Sequence, residues 1–325
     1  MTDAHRSSRL LWLLFIALGF MWGSSYFFIK IGVEAGLPPL TLVASRLFFG
    51  FLVLVTVVAI AREPLPRSPR QYGHLLVMSV VNIVLPFFLI TWGEQSIDSA
   101  LAAILNATVP LFVIVIAPLF LPDEHVTLNR VVGLAVGFAG VLVLFAPDLG
   151  VLEGNNLLGW LALIGSSVSY ALGNVYAKRN VTGLRPMIPA LFQVTFALAI
   201  SAVLALVIER PIGRVPVTRD SLFAVVWLGV LGSGFAYLLY FRILRDWGAT
   251  RTSLVAYLLP VFGIALGVLL NEPVTPNRIL GTLLIIGGVA LVNSRYGKRR
   301  LFGAAATTPT GASAAPPTGA RPERG

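Results

Sequence analysis

Polar side chains set inside long apolar stretches are the residues of this chain that could do chemistry. Arg46, within LTLVASRLFFGFLVL, stands out. An ionisable group in such a setting is costly to desolvate and therefore marks a functional or a pairing role. Its guanidinium could attract a carboxylate or other anionic group of a bound solute. Equally, it could pair with Glu34 or a helix-end carbonyl and fix local packing. A second set combines hydrogen-bonding capacity with aromatic surface: Trp22, Ser25, Tyr26, Asn82, Asn106, Tyr170, Asn174, Tyr176, Tyr237 and Tyr257. Buried Asn and Tyr need partners in an apolar medium, which a wet cavity or a neighbouring helix would supply. These residues and Arg46 are the candidate substrate-binding residues. Pro86, Pro110 and Pro260 free backbone carbonyls nearby, as kinks or as cavity lining.

Other chemistries are excluded. The chain has no cysteine and only three scattered histidines, His5, His74 and His125, so no metal site is expected. No GxSxG, HExxH or P-loop pattern occurs, so neither catalysis nor a bound cofactor is expected. Without a nucleotide site, any transport would be gradient-driven or facilitated.

The elements that must position these residues follow from composition. Of 325 residues, 57% are hydrophobic and 12% charged. A soluble domain carries about 25% charged residues, so this chain lacks the charge to cover a surface in water. A lipid-embedded body is expected. The net charge of +10 belongs to loops beside anionic lipid rather than to nucleic-acid binding.

Crossing a bilayer takes about 20 apolar residues. Ten spans are predicted: 10–32, 39–61, 71–92, 98–121, 128–146, 156–177, 187–208, 219–241, 248–270 and 276–294. The first follows Arg6 and Arg9 like a signal peptide, but is too long and has no small-x-small cleavage pattern. Basic residues set the orientation. A cytoplasmic amino terminus puts Arg62, Arg67, Arg70, Arg130, Lys178, Arg179, Arg185, Arg242, Arg245, Arg251, Arg295, Lys298, Arg299 and Arg300 inside. Only Arg210, Arg214, Arg219 and Arg278 then fall outside. The carboxyl terminus is then also cytoplasmic, and the small, Pro-rich residues 296–325 form a disordered tail.

Leu121 to Val143, LPDEHVTLNRVVGLAVGFAGVLV, returns as Leu269 to Leu291, LLNEPVTPNRILGTLLIIGGVAL. Leu121, Glu124, Val126, Thr127, Asn129, Arg130, Gly133, Gly140 and Val141 recur in register as Leu269, Glu272, Val274, Thr275, Asn277, Arg278, Gly281, Gly288 and Val289. Shared hydrophobicity alone does not reproduce a Glu, a Thr and an Asn-Arg pair, so the chain is an internal duplication. Gly23, Tyr26, Pro39 and Pro110 likewise recur as Gly173, Tyr176, Pro189 and Pro260. Each copy holds five spans, an odd number, so the second inserts upside down. Such inverted repeats are the recurring architecture of secondary transporters, with substrate bound near the midplane. Arg46 corresponds to Phe196, so symmetry does not require its charge.

Glu124 and Glu272 are expected to stabilise adjacent helix starts, with proton coupling as the alternative, and Arg130 and Arg278 to anchor at opposite headgroup layers. Lys30 and Glu34, one helical turn apart, suit an interfacial pair. Gly133, Gly137, Gly281, Gly287 and Gly288 suit close helix packing, within the chain or in a homo-oligomer.

The residues MWGSSYFFIKIGVEAGLPPLTLVASRLFFGFLVL, SALAAILNATVPLF and PDEHVTLNRVVGLAVGFAGVLVL together resemble the EamA domain of the drug/metabolite transporter superfamily. A second such domain is resembled through YLLPVFGIALGVLLNEPVTPNRILGTLLIIGGVAL. The likeness covers residues 10–295. It implies a ten-helix exporter of small polar metabolites, such as amino acids or related compounds, in the bacterial inner membrane. On it the chain divides into a cytoplasmic amino terminus (1–9), a first EamA repeat (10–146), a linker (147–155), a second repeat (156–295) and the tail (296–325). Small multidrug members of the superfamily use a carboxylate in their first helix. No acid lies between Leu10 and Ile29 or between Asn156 and Ala177, which disfavours a cationic-drug antiporter of that kind. An exporter of amphipathic drugs and a non-transporting scaffold or sensor are the alternatives.

Overall fold

The computed structural model describes residues 3–97, 102, 105–144, 157–213, 217–269, 275–293 and 300–302. The expectations for Glu272, the linker at 147–155 and most of the tail lie outside these residues, as does that for the Arg278 side chain.

The described chain is almost wholly helical. Its first half runs α1 (Asp3–Glu34), α2 (Pro39–Ala61), α3 (Pro69–Ser79), α4 (Leu85–Gly93), α5 (Val109–Phe120) and α6 (Leu128–Leu144). The second runs α7 (Leu157–Asn180), α8 (Met187–Leu204), α9 (Arg219–Gly229), α10 (Ala236–Trp247), α11 (Ala249–Ser253), α12 (Val255–Leu269) and α13 (Pro276–Asn293). Pro39 and Pro69 open their helices at positions where the missing N–H costs nothing. A two-residue strand, β1 (Val126–Thr127), pairs antiparallel with β2 (Arg300–Phe302), so a short piece following α13 docks beside α6.

Six helical segments are long and apolar enough to cross a membrane: Arg9–Glu34, Pro39–Ala61, Pro69–Gly93, Leu157–Asn180, Met187–Glu209 and Arg219–Trp247. Val109–Phe120, Leu128–Val143 and Ile279–Asn293 are apolar but shorter. The expected fourth and ninth spans are interrupted, by a turn at Ala107–Thr108 and by one at Leu254.

The two halves exchange their contacts. α1 packs on α12, and α7 packs on α5. α2 packs on α9, and α8 packs on α3. α2 and α8, and α6 and α13, pair directly with their own counterparts. A pseudo-two-fold arrangement requires this pattern, and the α6–α13 contact shows it at atomic scale. A Cβ on Gly133 would lie 2.8 Å from the carbonyl oxygen of Gly288, and one on Gly140 would lie 2.8 Å from that of Gly281. Gly133 and Gly140 are the repeat equivalents of Gly281 and Gly288, so each contact is the image of the other across an antiparallel helix pair. These glycines therefore serve a seam within one chain, whereas Gly287 faces open space.

Acidic residues tie the halves together where membrane-facing helix ends need partners. α2 begins at Pro39 with no side-chain cap of its own. Glu209 supplies one from the other half, accepting from the backbone N–H of Leu40 at 2.8 Å and of Thr41 at 2.7 Å, and from the Thr41 hydroxyl at 2.6 Å. A carboxylate there answers both the unpaired N–H groups and the helix dipole. At the other end of α2, Glu63 pairs with Arg185 at 2.8 Å, just ahead of α8.

The recurrent polar signature also ties the halves together, which corrects the expected role of Glu124. Glu124 is buried and caps α11 in the second half rather than its own α6, and Arg130 donates to it at 2.8 Å. Asn129 donates towards the carbonyls of Leu291 and Val292 at the end of α13. The intervening β1 moves Glu124 away from the first turn of α6, and the short α11 brings unpaired N–H groups to it. Lys30 and Glu34 do not form an ion pair.

Candidate functional site

Both halves carry a π-helical turn at the same repeat position, Val80–Val84 between α3 and α4 and Val230–Phe235 between α9 and α10. A π-turn inserts a residue into the helix and releases carbonyls from the regular ladder, and such turns recur at functional sites. Here the released groups bind the opposite half. Trp22 Nε1 donates to the Gly232 carbonyl at 3.1 Å, and Tyr237 Oη donates to the Asn82 carbonyl at 3.2 Å. Asn82 and Gly232 are repeat equivalents, so each half reads the other's π-turn. Ser169 Oγ adds a bond to the Val81 carbonyl at 2.6 Å.

Beside the first π-turn lies a cavity of about 70 Å³. At about 10–15 Å³ for one water, it holds a few waters or a small solute. α1 contributes Trp22, Ser25, Tyr26 and Ile29, spaced as one face of a helix. Arg46 comes from α2, Asn82 from the first π-turn, Phe87 and Ile90 from α4, and Asn106 with Val109 from the start of α5. Tyr170 and Asn174 of α7 lie one turn apart. Tyr240 of α10, Thr252 and Ser253 of α11, and Val255, Ala256 and Leu259 of α12 complete the wall.

Eight of the eleven candidate residues therefore line one cavity: Trp22, Ser25, Tyr26, Arg46, Asn82, Asn106, Tyr170 and Asn174. Tyr237 stands just behind it, buried, with Trp22 at 5.9 Å and Phe87 at 6.5 Å between ring centroids. Tyr176 lies away from it and bonds His74 Nδ1 at 2.7 Å. Tyr257 packs against Gly137 and donates to the Leu134 carbonyl at 3.0 Å. Phe87, Thr252, Ser253 and the apolar wall residues were not singled out from sequence, because nothing in their types separates lining from packing. Tyr240 carried the same mid-span signal as the chosen tyrosines.

Most of the polar wall is already paired. Asn106 Nδ2 bonds Tyr26 Oη, and Ser167 Oγ reaches the Leu105 carbonyl at 3.0 Å. Tyr240 Oη donates to Asn174 Oδ1 at 3.2 Å, while Asn174 Nδ2 donates to the Tyr170 carbonyl at 2.8 Å. Arg46 is the charged exception. Only 2% of it is exposed, its Nε reaches Ser233 Oγ at 3.3 Å, and its guanidinium carbon sits 4.1 Å from the Phe87 ring centroid. Among the described residues it forms no ion pair, and neither terminal nitrogen makes a hydrogen bond. The expected pairing with Glu34 is not formed. Gly232 makes room for this group: a Cβ there would lie 2.9 Å from Ser25 Oγ and 3.1 Å from Arg46 Nη2.

Residues 10–146 and 157–294 each match the EamA-like transporter family. The chain belongs to that family. Family members of similar length include the uncharacterized transporter YoaV of Bacillus subtilis (strain 168), 27% identical over 88% of this chain and 97% of the relative. YvbV of the same organism is 30% identical over 87% and 91%. The inner membrane transporter YedA of Escherichia coli (strain K12) is 29% identical over 85% and 88%. A solved crystal structure superposes with a TM-score of 0.72 at 22% identity, covering 86% of this chain and 94% of the other, which supports the fold. The family's two-domain organisation coincides with the two halves whose contacts exchange.

Proposed function

We propose that the chain exports small polar metabolites, such as amino acids or related compounds, across a bacterial inner membrane by alternating access. In this reading ten spans form two inverted five-span repeats, both termini are cytoplasmic, and the central cavity is the substrate site. The observation that carries it is the exchange of contacts between the halves, with π-turns at the same position of each and a cavity lined by both halves. Two nearly equivalent halves can trade conformations at similar energy, opening the cavity to one side or the other. The cavity in this conformation admits only a small solute, as expected of a state between the two openings. The names of YoaV, YvbV and YedA, each a transporter, support the same reading.

The test is transport by the purified full chain in liposomes, screened with radiolabelled amino acids and other small metabolites. Movement of at least one compound faster than in empty liposomes, lost on Trp22→Ala at unchanged protein amount, is the expected result. No transported compound and no ligand-induced thermal shift across the panel would overturn the proposal.

A further inference from the structure

Arg46 departs from the rule that buried charges are paired. A guanidinium removed from water normally has carboxylates or carbonyls on its terminal nitrogens, because burying an unmatched charge costs several kcal/mol. Here both terminal nitrogens are left without acceptors among the described residues, on the wall of a cavity. The hydroxyl of Tyr170, on the same wall, also makes no hydrogen bond within the described chain. Ser25 Oγ and Arg46 Nη2 both pack against Gly232, where a Cβ would lie 2.9 Å and 3.1 Å from them, so the absence of a side chain there lets the two groups sit side by side on the wall. Glu94 is within electrostatic reach of the guanidinium but not within ion-pair distance.

We propose that Arg46, with Tyr170 and Ser25, forms the binding pole for the carboxylate of a small solute. This inference rests on the transport reading above and narrows it to monocarboxylates, including zwitterions. Two oxygens of a carboxylate match the two free guanidinium nitrogens, a geometry an ammonium group cannot offer. The single positive charge selects against dianions, since a phosphate dianion would remain under-neutralised in the same site. Among the described residues no acid lines the cavity, so a purely cationic solute meets an uncompensated like charge. The small volume limits the rest of the solute to a few heavy atoms unless the wall moves.

The test pairs acids with their amides. Ligand-induced thermal stabilisation and liposome counterflow would be measured for L-alanine against L-alaninamide and lactate against lactamide, with inorganic phosphate as a third arm. In the wild-type chain at least one acid is expected to bind about tenfold or more tightly than its amide, with phosphate weaker still. In Arg46→Gln that preference should fall to within about twofold while the amide response persists, and Arg46→Lys should restore part of it. Equal responses to acids and amides in the wild type would overturn the inference and leave transport standing, as would a tenfold acid preference retained in Arg46→Gln. Phosphate outcompeting the acids would overturn the monocarboxylate class. If Arg46→Gln does not fold, Tyr170→Phe provides the second variant: a selective loss of acid affinity supports the site, and equal loss of acid and amide overturns it. If nothing in the broad metabolite panel moves or binds, the transport reading itself fails.

Discussion

Glu124 accepts from both the backbone N–H of Thr250, at 3.3 Å, and its hydroxyl, at 2.9 Å, so a carboxylate of the first half caps a helix of the second. The same carboxylate receives Arg130 Nη1 at 2.8 Å. Gly248, at φ 83°, turns the chain into α11 directly beside it, and a side chain there would meet Oε1 at 2.6 Å. Two and three residues beyond Thr250, Thr252 and Ser253 reach the cavity wall. The Glu124–Thr250 contact thus connects the first-half signature to the site through α11.

Removing this carboxylate should loosen that end. Glu124→Ala is expected to cost about 3 kcal/mol, and Glu124→Gln about 1–2 kcal/mol because the amide oxygen can still accept. Arg130→Met alone leaves a buried carboxylate short of its cation. The double variant Glu124→Gln/Arg130→Met should therefore be less destabilised than the sum of the singles. Thermal unfolding of the purified chain in detergent measures this, and strict additivity would mean the pair is not coupled.

The proposed inverted arrangement predicts opposite exposure for two loops. Asp123 beside the first-half signature should face the cytoplasm, and Val217, highly exposed ahead of α9, should face outward. Because the chain has no cysteine, Asp123→Cys and Val217→Cys each introduce a single thiol. An impermeant maleimide added to intact cells should label Val217→Cys and spare Asp123→Cys until the membrane is permeabilised. Labelling of both from the same side would defeat the inverted topology.

Two adjacent glycines separate seam packing from helix propensity. A Cβ on Gly288 would sit 2.5 Å from the Gly137 backbone nitrogen and 2.6 Å from the Gly133 carbonyl oxygen, whereas one on Gly287 meets nothing within 4 Å. Backbone cannot yield as a flexible side chain can, so Gly288→Ala must push α6 and α13 apart, at an expected cost of about 1–3 kcal/mol. Gly287→Ala should be neutral or stabilising by up to about 1 kcal/mol. Comparing their melting temperatures and membrane abundance reads the difference. A similar loss in both would point away from the seam.

The repeat and most of the polar part of the cavity wall were legible in sequence because they rest on polar residues, which shared hydrophobicity does not generate. Arg46, Asn82, Asn106 and Asn174 announced themselves by being expensive where they stand. What the polar signature does was not legible. Glu124 and Asn129 looked local, yet they reach Thr250 and the end of α13, through tertiary contacts across more than a hundred residues of chain. The π-turns were equally hidden, since VVNIV and VLGSGF read as ordinary apolar helix. Tyr176 and Tyr257 share their residue type with Tyr170 but project from other faces of their elements, which span boundaries uncertain by a few residues do not resolve.

The tyrosines can be sorted by experiment. Tyr176→Phe removes only the bond to His74, in a part-buried contact away from the cavity, and should cost about 0.5–1.5 kcal/mol of stability with solute affinity unchanged. Tyr240→Phe leaves Asn174 Oδ1 without its donor on the cavity wall. That unpaired oxygen is free to bind water or to repel the carboxylate assigned to the Arg46 pole. Tyr240→Phe should therefore weaken solute binding by about five- to tenfold at comparable stability loss. Thermal-shift titration of the two variants with the same solute checks the contrast. A larger binding defect in Tyr176→Phe than in Tyr240→Phe would move the substrate path away from this cavity and towards the His74 contact.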